Sequence, residues 1–130
     1  AMLSYSNFGS SRHPSSIKVA EAVRIVRERD PELEIDGEMQ ADTAVNRQKL
    51  TEVYPFSALS EPANVLVFSN LSAANASYKL LDRLGGAEVI GPVLMGMARP
   101  VHILQRGTTG QDVLNLATIA SVDAQARSGP

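Results

Sequence analysis

The stretch Leu104–Asp112 combines residue types that bind anions. An apolar run ends there, Arg106 and Gly107 follow, and Thr108 and Thr109 can cap a helix that begins beyond them. The N–H groups at a helix N-terminus favour anions, and a neighbouring guanidinium adds a bidentate donor for phosphate or carboxylate. The spacing therefore predicts an anion-binding site built on Arg106, Gly107 and Thr108.

Asp112 falls in the first turn of that predicted helix. Its carboxylate could orient Arg106 or act as a base. The helix dipole alone also favours an acid at this position, without any role in chemistry. The residue pattern leaves these alternatives open.

A second candidate site is the Ser- and Gly-rich loop Ser4–Arg12, which also follows a predicted strand and leads into a helix. Ser6 and Ser10 offer hydroxyl groups, and Arg12 offers a positive charge. A Walker phosphate-binding pattern is absent, so ATP-type phosphate binding is not supported. A ligand loop and a solvated turn are equally good interpretations.

Two further pairs of polar residues have either a functional or a structural interpretation. Asp36 and Glu38 flank Gly37, and two carboxyls can divide acid–base work, but the pattern favours a turn. Asn75 and Lys79 are four residues apart on one helical face, where they form either ligand contacts or polar surface.

The chain has no cysteine and two histidines, so we expect no metal site. His102 alternates with Val101 and Ile103, which predicts a sheet-facing histidine bonded to the backbone. His13 precedes Pro14 and is interpreted as a loop residue.

Short apolar runs alternate with helical periodicity, which is typical of an α/β domain with a largely parallel sheet flanked by helices. The predicted strands are Met2–Ser6, Leu33–Ile35, Asn64–Phe68, Glu88–Leu94 and Val101–Leu104. The predicted helices are Ile17–Arg29 with Ser15 or Ser16 as N-cap, part of Gln40–Val53, Leu71–Leu84 closed by Gly85-Gly86, and Thr109 to about Arg127. Residues 1–127 are expected to form the domain, and residues 128–130 a tail.

The charges nearly cancel, with 12 Lys and Arg against 14 Asp and Glu. Such a chain lacks the basic field of a nucleic-acid-binding protein. Apolar runs such as Val65–Phe68 are far shorter than the roughly 20 residues of a membrane span. We expect no signal peptide, because Ser4–Ser16 is polar and no charged segment leads an apolar core. We therefore expect a cytoplasmic protein that binds neither nucleic acid nor membrane.

The first predicted strand begins almost at residue 1, and the last helix is apolar on a wide face. These features favour equally a piece of a longer polypeptide and a compact domain whose first strand starts early.

Several segments in order along the chain resemble the phosphate acetyl/butyryl transferases, or phosphotransacetylases. They are Met2–Ser6 with Gly9 and Ser10, Asp36–Asp42, Ala63–Phe68, Tyr78–Leu81 with Arg83 and Leu84, and Gly91–Gly96. The resemblance covers nearly the whole chain. It implies that these residues are the C-terminal portion of a phosphotransacetylase-like (isocitrate/isopropylmalate dehydrogenase-like) fold, and less than half of a complete transferase domain.

Transferases of this family carry a Ser-Arg-Gly tripeptide after the last strand and an aspartate in the following helix. Arg106, Gly107 and Asp112 match that pattern, whereas Gln105 replaces the serine. The resemblance implies that the arginine and the aspartate bind the acyl phosphate and assist deprotonation of the CoA thiol. A glutamine is bulkier than serine and offers an amide in place of a hydroxyl, which argues against acyl transfer.

Pro100–Gly107 and Ser4–Ser10 are most similar to the C-terminal phosphotransacetylase-like domain of the large bacterial NADP-dependent malic enzymes. In that branch a separate unit oxidatively decarboxylates malate to pyruvate with NADP and Mg or Mn. The C-terminal domain binds acetyl-CoA as an allosteric inhibitor and helps to assemble the oligomer. The resemblance thus implies no cofactor within these residues, and three kinds of partner: acetyl-CoA or a related CoA ester, the remainder of the parent chain, and further copies.

The expected ligand-binding residues are Arg106, Gly107, Thr108, Ser6, Ser10, Asn75 and Lys79. Two alternatives stay open, an active phosphate acetyl- or butyryltransferase and a purely structural oligomerisation module.

Overall fold

The computed structural model describes residues 1–127. Its elements are β1 (Met2–Leu3), α1 (Pro14–Arg29), β2 (Gly37–Met39), α2 (Ala41–Ala44), a π-helical turn (Lys49–Val53), α3 (Leu71–Leu84) and α4 (Gly110–Arg127). The chain divides into two compact units, Ala1–Lys79 and the residues from Leu80 onward. The tail expected at residues 128–130 lies outside the described residues.

The first unit contains a small parallel sheet with β1 at its centre. Met2 lies opposite Gly37 of β2 and also forms a parallel bridge with Val67. On that second side, the Leu3 N–H donates to the Val67 carbonyl over 2.8 Å, and the Val67 N–H donates to the Ala1 carbonyl over 2.9 Å. The unit is therefore α/β with parallel pairing, as the alternation predicted, but the sheet is much smaller than expected.

Two predictions around β2 are wrong. Leu33–Ile35 is not a strand, and Asp36-Gly37-Glu38 is not a turn, because Gly37 and Glu38 lie in β2. Gly37 has a φ of 140°, and a Cβ at this position would lie 2.4 Å from the Met2 carbonyl oxygen. The glycine that looked like a turn signal thus allows close approach between two strands.

The other predicted strands are also shorter or missing among the described residues. Met2–Ser6 shrinks to Met2–Leu3, and Asn64–Phe68 contributes one bridge at Val67. Glu88–Leu94 and Val101–Leu104 form no strand within residues 1–127. A strand requires a neighbour with which its backbone groups can pair. Apolar composition predicted these segments as strands but carried no information about such a neighbour.

Helix α1 begins at Pro14, three residues earlier than predicted. His13 is the N-cap, and its Nδ1 accepts a hydrogen bond from the Ser15 N–H over 3.3 Å. Proline suits the first helical position because its missing N–H would have no helical partner there. The expectation that Ser15 or Ser16 caps the helix is therefore wrong.

The core of the first unit lies between the sheet and the segments that follow it. Its buried residues are Leu3, Met39, Ala44, Leu50 and Leu59. Helix α1 buries Val19 and Val23, which are four residues apart and therefore lie on one face of the helix.

In the second unit, α4 buries Leu116 and leaves Val113, Leu114 and Val122 exposed. These exposed side chains belong to the wide apolar face of the last helix that the sequence predicted. Helix α3, which starts in the first unit, ends at Leu84 as predicted, and Gly86 follows with a φ of 64°. No helix within residues 1–127 is long and apolar enough to cross a membrane.

Candidate functional site

Arg106 sits at the tip of a tight turn that precedes α4. The Gln105 carbonyl accepts hydrogen bonds from the Thr108 N–H over 3.2 Å and from the Thr108 hydroxyl over 2.6 Å. Gly107 has a φ of 86°, the left-handed conformation that glycine adopts most readily. The Arg106 side chain is exposed and forms no ion pair within residues 1–127, so its guanidinium is available to an anion.

Thr109 and Asp112 cap the start of α4 reciprocally. One oxygen of the Asp112 carboxylate accepts from the Thr109 N–H over 2.7 Å and from the Thr109 hydroxyl over 2.8 Å. The Asp112 N–H in turn donates to the Thr109 hydroxyl over 3.2 Å. This is the capping-box arrangement, with an aspartate in the place of glutamate. It confirms Thr109 as a cap of the last helix.

These hydrogen bonds bear on the three roles considered for Asp112. The backbone N–H of Thr109, and then its hydroxyl, lower the pKa of the Asp112 carboxyl. No ion pair joins Asp112 to Arg106 in the described part of the chain. The geometry thus favours helix capping, and a carboxylate with lowered proton affinity is a weak base.

The Ser-rich loop in the first unit separates its two candidate serines. Ser6 is fully buried, and its hydroxyl donates to Oε1 of Glu38 over 2.8 Å. Ser10 is exposed, and its Oγ accepts from the Asn7 N–H over 2.9 Å and lies 3.1 Å from the Ser6 Oγ. Ser10 is therefore accessible from solvent, whereas Ser6 supports the loop from inside.

The carboxylate of Glu38 is a feature that sequence reasoning missed. It is 3 % exposed, and its Oε1 accepts from both Ser6 and the Gly9 N–H, the latter over 2.7 Å. Ser6 is 32 positions away along the chain, so local patterns carried no signal of the contact. The sequence pattern favoured a turn at Glu38 over an acid–base role, and it predicted neither the burial of this carboxylate nor its contact with Ser6.

Asp36 is an equally buried anchor. Its Oδ1 accepts from Arg27 over 2.6 Å and from the Gly37 N–H over 2.9 Å. Its Oδ2 accepts from the Ser57 hydroxyl over 2.9 Å and from the Ala58 N–H over 2.6 Å. The geometry gives Asp36 a structural role in place of acid–base chemistry.

Asn75 and Lys79 are exposed on α3, as their spacing predicted for one helical face. The Lys79 ammonium lies 5.0 Å from the centroid of the Tyr78 ring. These two residues, with Ser6 and Ser10, belong to the first unit, whereas Arg106, Gly107 and Thr108 belong to the second. The structure brings together Ser6 with Ser10 and, separately, Arg106 with Thr108.

His102 corrects another expectation. Both of its ring nitrogens are buried, and neither has a hydrogen-bond partner within residues 1–127, so the predicted bond to the backbone is wrong. Across the same residues, no group of three or more His, Asp or Glu side chains is arranged to hold a metal ion.

A cavity of about 530 Å³ lies in the first unit, and no residue of the serine-rich loop lines it. Its lining is mainly apolar and includes Leu33, Ile35, Leu59, Val65 and Val67. None of the predicted ligand-binding residues lines it.

Comparison with known proteins gives a consistent family assignment. Residues 1–121 match the family model described as phosphate acetyl/butaryl transferase. The chain is 42 % identical over 125 residues to the phosphate acetyltransferase of Acetivibrio thermocellus, covering 96 % of this chain and 38 % of that protein. It is 47 % identical over 127 residues to the NADP-dependent malic enzyme of Escherichia coli, covering 96 % of this chain and 17 % of that protein.

Solved structures agree with the sequence relatives. The EutD phosphotransacetylase from Staphylococcus aureus superposes with a TM-score of 0.85 at 41 % identity, over 95 % of this chain and 38 % of that one. A phosphotransacetylase from Streptococcus pyogenes gives 0.87 at 38 % identity, over 98 % and 39 % of the two chains. This chain therefore spans less than two fifths of these relatives and matches part of their structures.

Proposed function

Because the chain belongs to the phosphate acetyl/butaryl transferase family, we propose that it is the regulatory phosphotransacetylase-like domain of a bacterial NADP-dependent malic enzyme. In this proposal the domain binds acetyl-CoA or a related CoA ester, transfers no acyl group and helps to assemble a cytoplasmic homo-oligomer. Its fold is the C-terminal portion of an isocitrate/isopropylmalate dehydrogenase-like fold. The parent enzyme oxidatively decarboxylates malate to pyruvate, with NADP and Mg or Mn held outside these residues.

The observation that carries the proposal is that Gln105 directly precedes an Arg106 whose guanidinium has no ion-pair partner among the described residues. Arg106 is exposed, unpaired within the described residues and raised on a turn, so it can bind a phosphate of the ligand. The neighbouring side chain is a carboxamide where the family resemblance expects a slim hydroxyl. Such a site can bind a CoA ester without assisting attack on its acyl group.

Helix α4 supports phosphate binding beside Arg106. The helix has 18 residues, and its first turn presents N–H groups that no helical carbonyl accepts. Thr109 and Asp112 fix where that turn begins. In the first unit, considered by itself, Ser10, Asn75 and Lys79 are exposed polar residues, and we propose them as ligand contacts in their own right.

Inhibition requires more than binding. A ligand shifts the activity of an attached enzyme only by the difference between its affinities for two states of the assembly. The exposed apolar side chains of α4, among them Val113, Leu114 and Val122, offer surface that the rest of the parent chain or another copy can bury. We expect ligand binding to alter how that surface is covered.

The alternative function is an active phosphate acetyl- or butyryltransferase. It is favoured by relatives of that name at 42 % and 44 % identity and by the two phosphotransacetylase structures. Arg106 would then bind the acyl phosphate, and Asp112 would accept the thiol proton. The hydrogen bonds from Thr109 oppose that second role, because they lower the pKa of Asp112.

Two assays on the full-length protein separate these functions. The regulatory proposal expects no acetyl-CoA formation from acetyl phosphate and CoA, and slower malate-dependent NADP reduction when acetyl-CoA is added. Arg106→Ala should relieve that inhibition, whereas Arg29→Ala, which removes an exposed arginine of α1, should not. Transferase turnover that disappears in Arg106→Ala would favour the alternative. Absence of binding heat with acetyl-CoA would favour a purely structural module.

A further inference from the structure

A single buried residue contacts the loop Ser4–Ser11 at three points. The Glu38 carboxylate accepts from the Ser6 hydroxyl over 2.8 Å and from the Gly9 N–H over 2.7 Å. The Glu38 carbonyl accepts from the Phe8 N–H over 2.8 Å. Because Glu38 is part of β2, these bonds tie the loop to the sheet.

These contacts lie at the residues whose backbone conformation is least favourable, Phe8 and Gly9. Phe8 has a φ of 46° and Gly9 a φ of 84°, so two successive residues are left-handed. That conformation is unfavourable for phenylalanine and persists only where the surroundings enforce it. Two of the three hydrogen bonds to Glu38 come from the N–H groups of these residues. The centroid of the Phe8 ring also lies 5.1 Å from that of Tyr54 and 5.0 Å from that of Phe56.

Ser6 connects Glu38 with the exposed end of the loop through its hydroxyl group. Besides donating to Glu38, its Oγ accepts from the Ser11 N–H over 3.0 Å and lies 3.1 Å from the Ser10 Oγ. Movement of the Glu38 carboxylate would therefore displace the exposed Ser10 hydroxyl as well.

We propose that Glu38 is a positioning residue, which holds the Ser4–Ser11 loop in the shape that binds the CoA ester. The inference rests on the proposed function, because it takes its ligand from there. Glu38 is almost fully buried and so acts through the loop, with Ser10 as the group that meets the ligand. What Glu38 supplies is a fixed acceptor for two donors.

The test compares four forms of the full-length protein: the wild type, Glu38→Ala, Glu38→Gln and Glu61→Ala. Hydrogen exchange measured on peptides that cover residues 4–11 reports loop order, and calorimetry with acetyl-CoA reports affinity. Glu38→Ala should accelerate exchange and weaken acetyl-CoA binding, each by about tenfold, because two donors lose their acceptor. Glu38→Gln keeps an acceptor oxygen and should stay within about threefold of wild type in both measurements. Glu61 is an exposed glutamate paired with Arg47, so its removal should change neither.

Three results would overturn the inference: unchanged loop exchange in Glu38→Ala, an opened loop with unchanged acetyl-CoA affinity, or a Gln variant as impaired as the Ala variant. If Glu38→Ala fails to fold, Ser6→Ala removes one donor to the Glu38 carboxylate and also the acceptor of the Ser11 N–H, and it should accelerate loop exchange and weaken acetyl-CoA binding by about threefold or more. A wild-type protein that gives no heat with acetyl-CoA would overturn the proposed function. The exchange comparison would then still show whether Glu38 holds the loop.

Discussion

The guanidinium of Arg27 lies 2.6 Å from the carboxylate of Asp36, which links α1 to the residue that precedes β2. The same guanidinium donates to the Ile35 carbonyl over 3.0 Å. With Ser57 and Ala58 on its other oxygen, Asp36 joins three separate segments of the first unit. Removing this carboxylate would leave several donors without their acceptor, which destabilises a folded protein.

Asp36→Ala should therefore destabilise the protein strongly. It leaves the donors of Arg27, Ser57 and Ala58 without their acceptor, and we expect a loss of about 2 to 4 kcal/mol in the free energy of unfolding. Chemical denaturation followed by circular dichroism measures this loss. Asp30→Ala, at an exposed position after α1, is the matched control and should change stability by less than about 0.5 kcal/mol. Equal effects of the two substitutions would contradict the anchoring role of Asp36.

Gly37→Ala should also destabilise the protein. A methyl group would lie 2.4 Å from the Met2 carbonyl oxygen, and the φ of 140° is unfavourable for alanine. We expect a loss of about 2 kcal/mol or more, measured as a lowered denaturation midpoint. Gly110→Ala is the control, because a Cβ there meets nothing within 4 Å. A midpoint in Gly37→Ala equal to that of wild type would show that β1 and β2 do not pair as described.

Asp112 should titrate below the usual range of an aspartate. Hydrogen bonds from the Thr109 backbone and hydroxyl depress the folded-state pKa, so the capped carboxylate contributes stability above the unfolded pKa of about 4. That contribution is lost as the pH falls through the lower folded-state value. Carboxyl chemical shifts in an NMR titration give the pKa directly.

Thr109→Ala tests the cause of that shift. It should raise the Asp112 pKa only partly, because the backbone N–H at position 109 still donates. Thr118→Ala, which removes a hydroxyl from the middle of α4, should leave the pKa of Asp112 unchanged. An Asp112 pKa insensitive to Thr109→Ala would contradict the hydroxyl contact.

Gln105→Ser should introduce a hydroxyl beside Arg106. If the carboxamide is what prevents acyl transfer, the variant should gain measurable acetyl-CoA formation from acetyl phosphate, and acetyl-CoA affinity should stay near that of wild type. Gln105→Ala removes the amide without adding a hydroxyl and should gain nothing. A gain in both variants would assign the block to side-chain size, and a gain in neither would place it elsewhere in the protein.

Helices were predicted far better than strands. The apolar periodicity of α1 and α4 and the glycines after α3 are local signals, and the three helices lie where those signals placed them, within three residues at each start. Strand pairing depends on residues distant in the chain. The apolar run Val101–Leu104 therefore looked like a strand, although no described residue pairs with it.

The candidate sites show the same difference between features set by local contacts, which were predictable, and features set by long-range contacts, which were not. The Thr109 cap depends on contacts within four residues, and local spacing predicted it correctly. The burial of Ser6 depends on Glu38, and a loop serine near glycine gives no sign of facing inward.

The central position of β1 has a consequence for folding during synthesis. Met2 of β1 pairs with Gly37 on one side and with Val67 on the other, so both sides of the strand are complete only after residue 67 has been synthesised. Until then the Leu3 side chain, buried in the finished unit, remains in water. High sequence separation of this kind slows folding, and apolar surface that stays exposed during that interval is prone to aggregate.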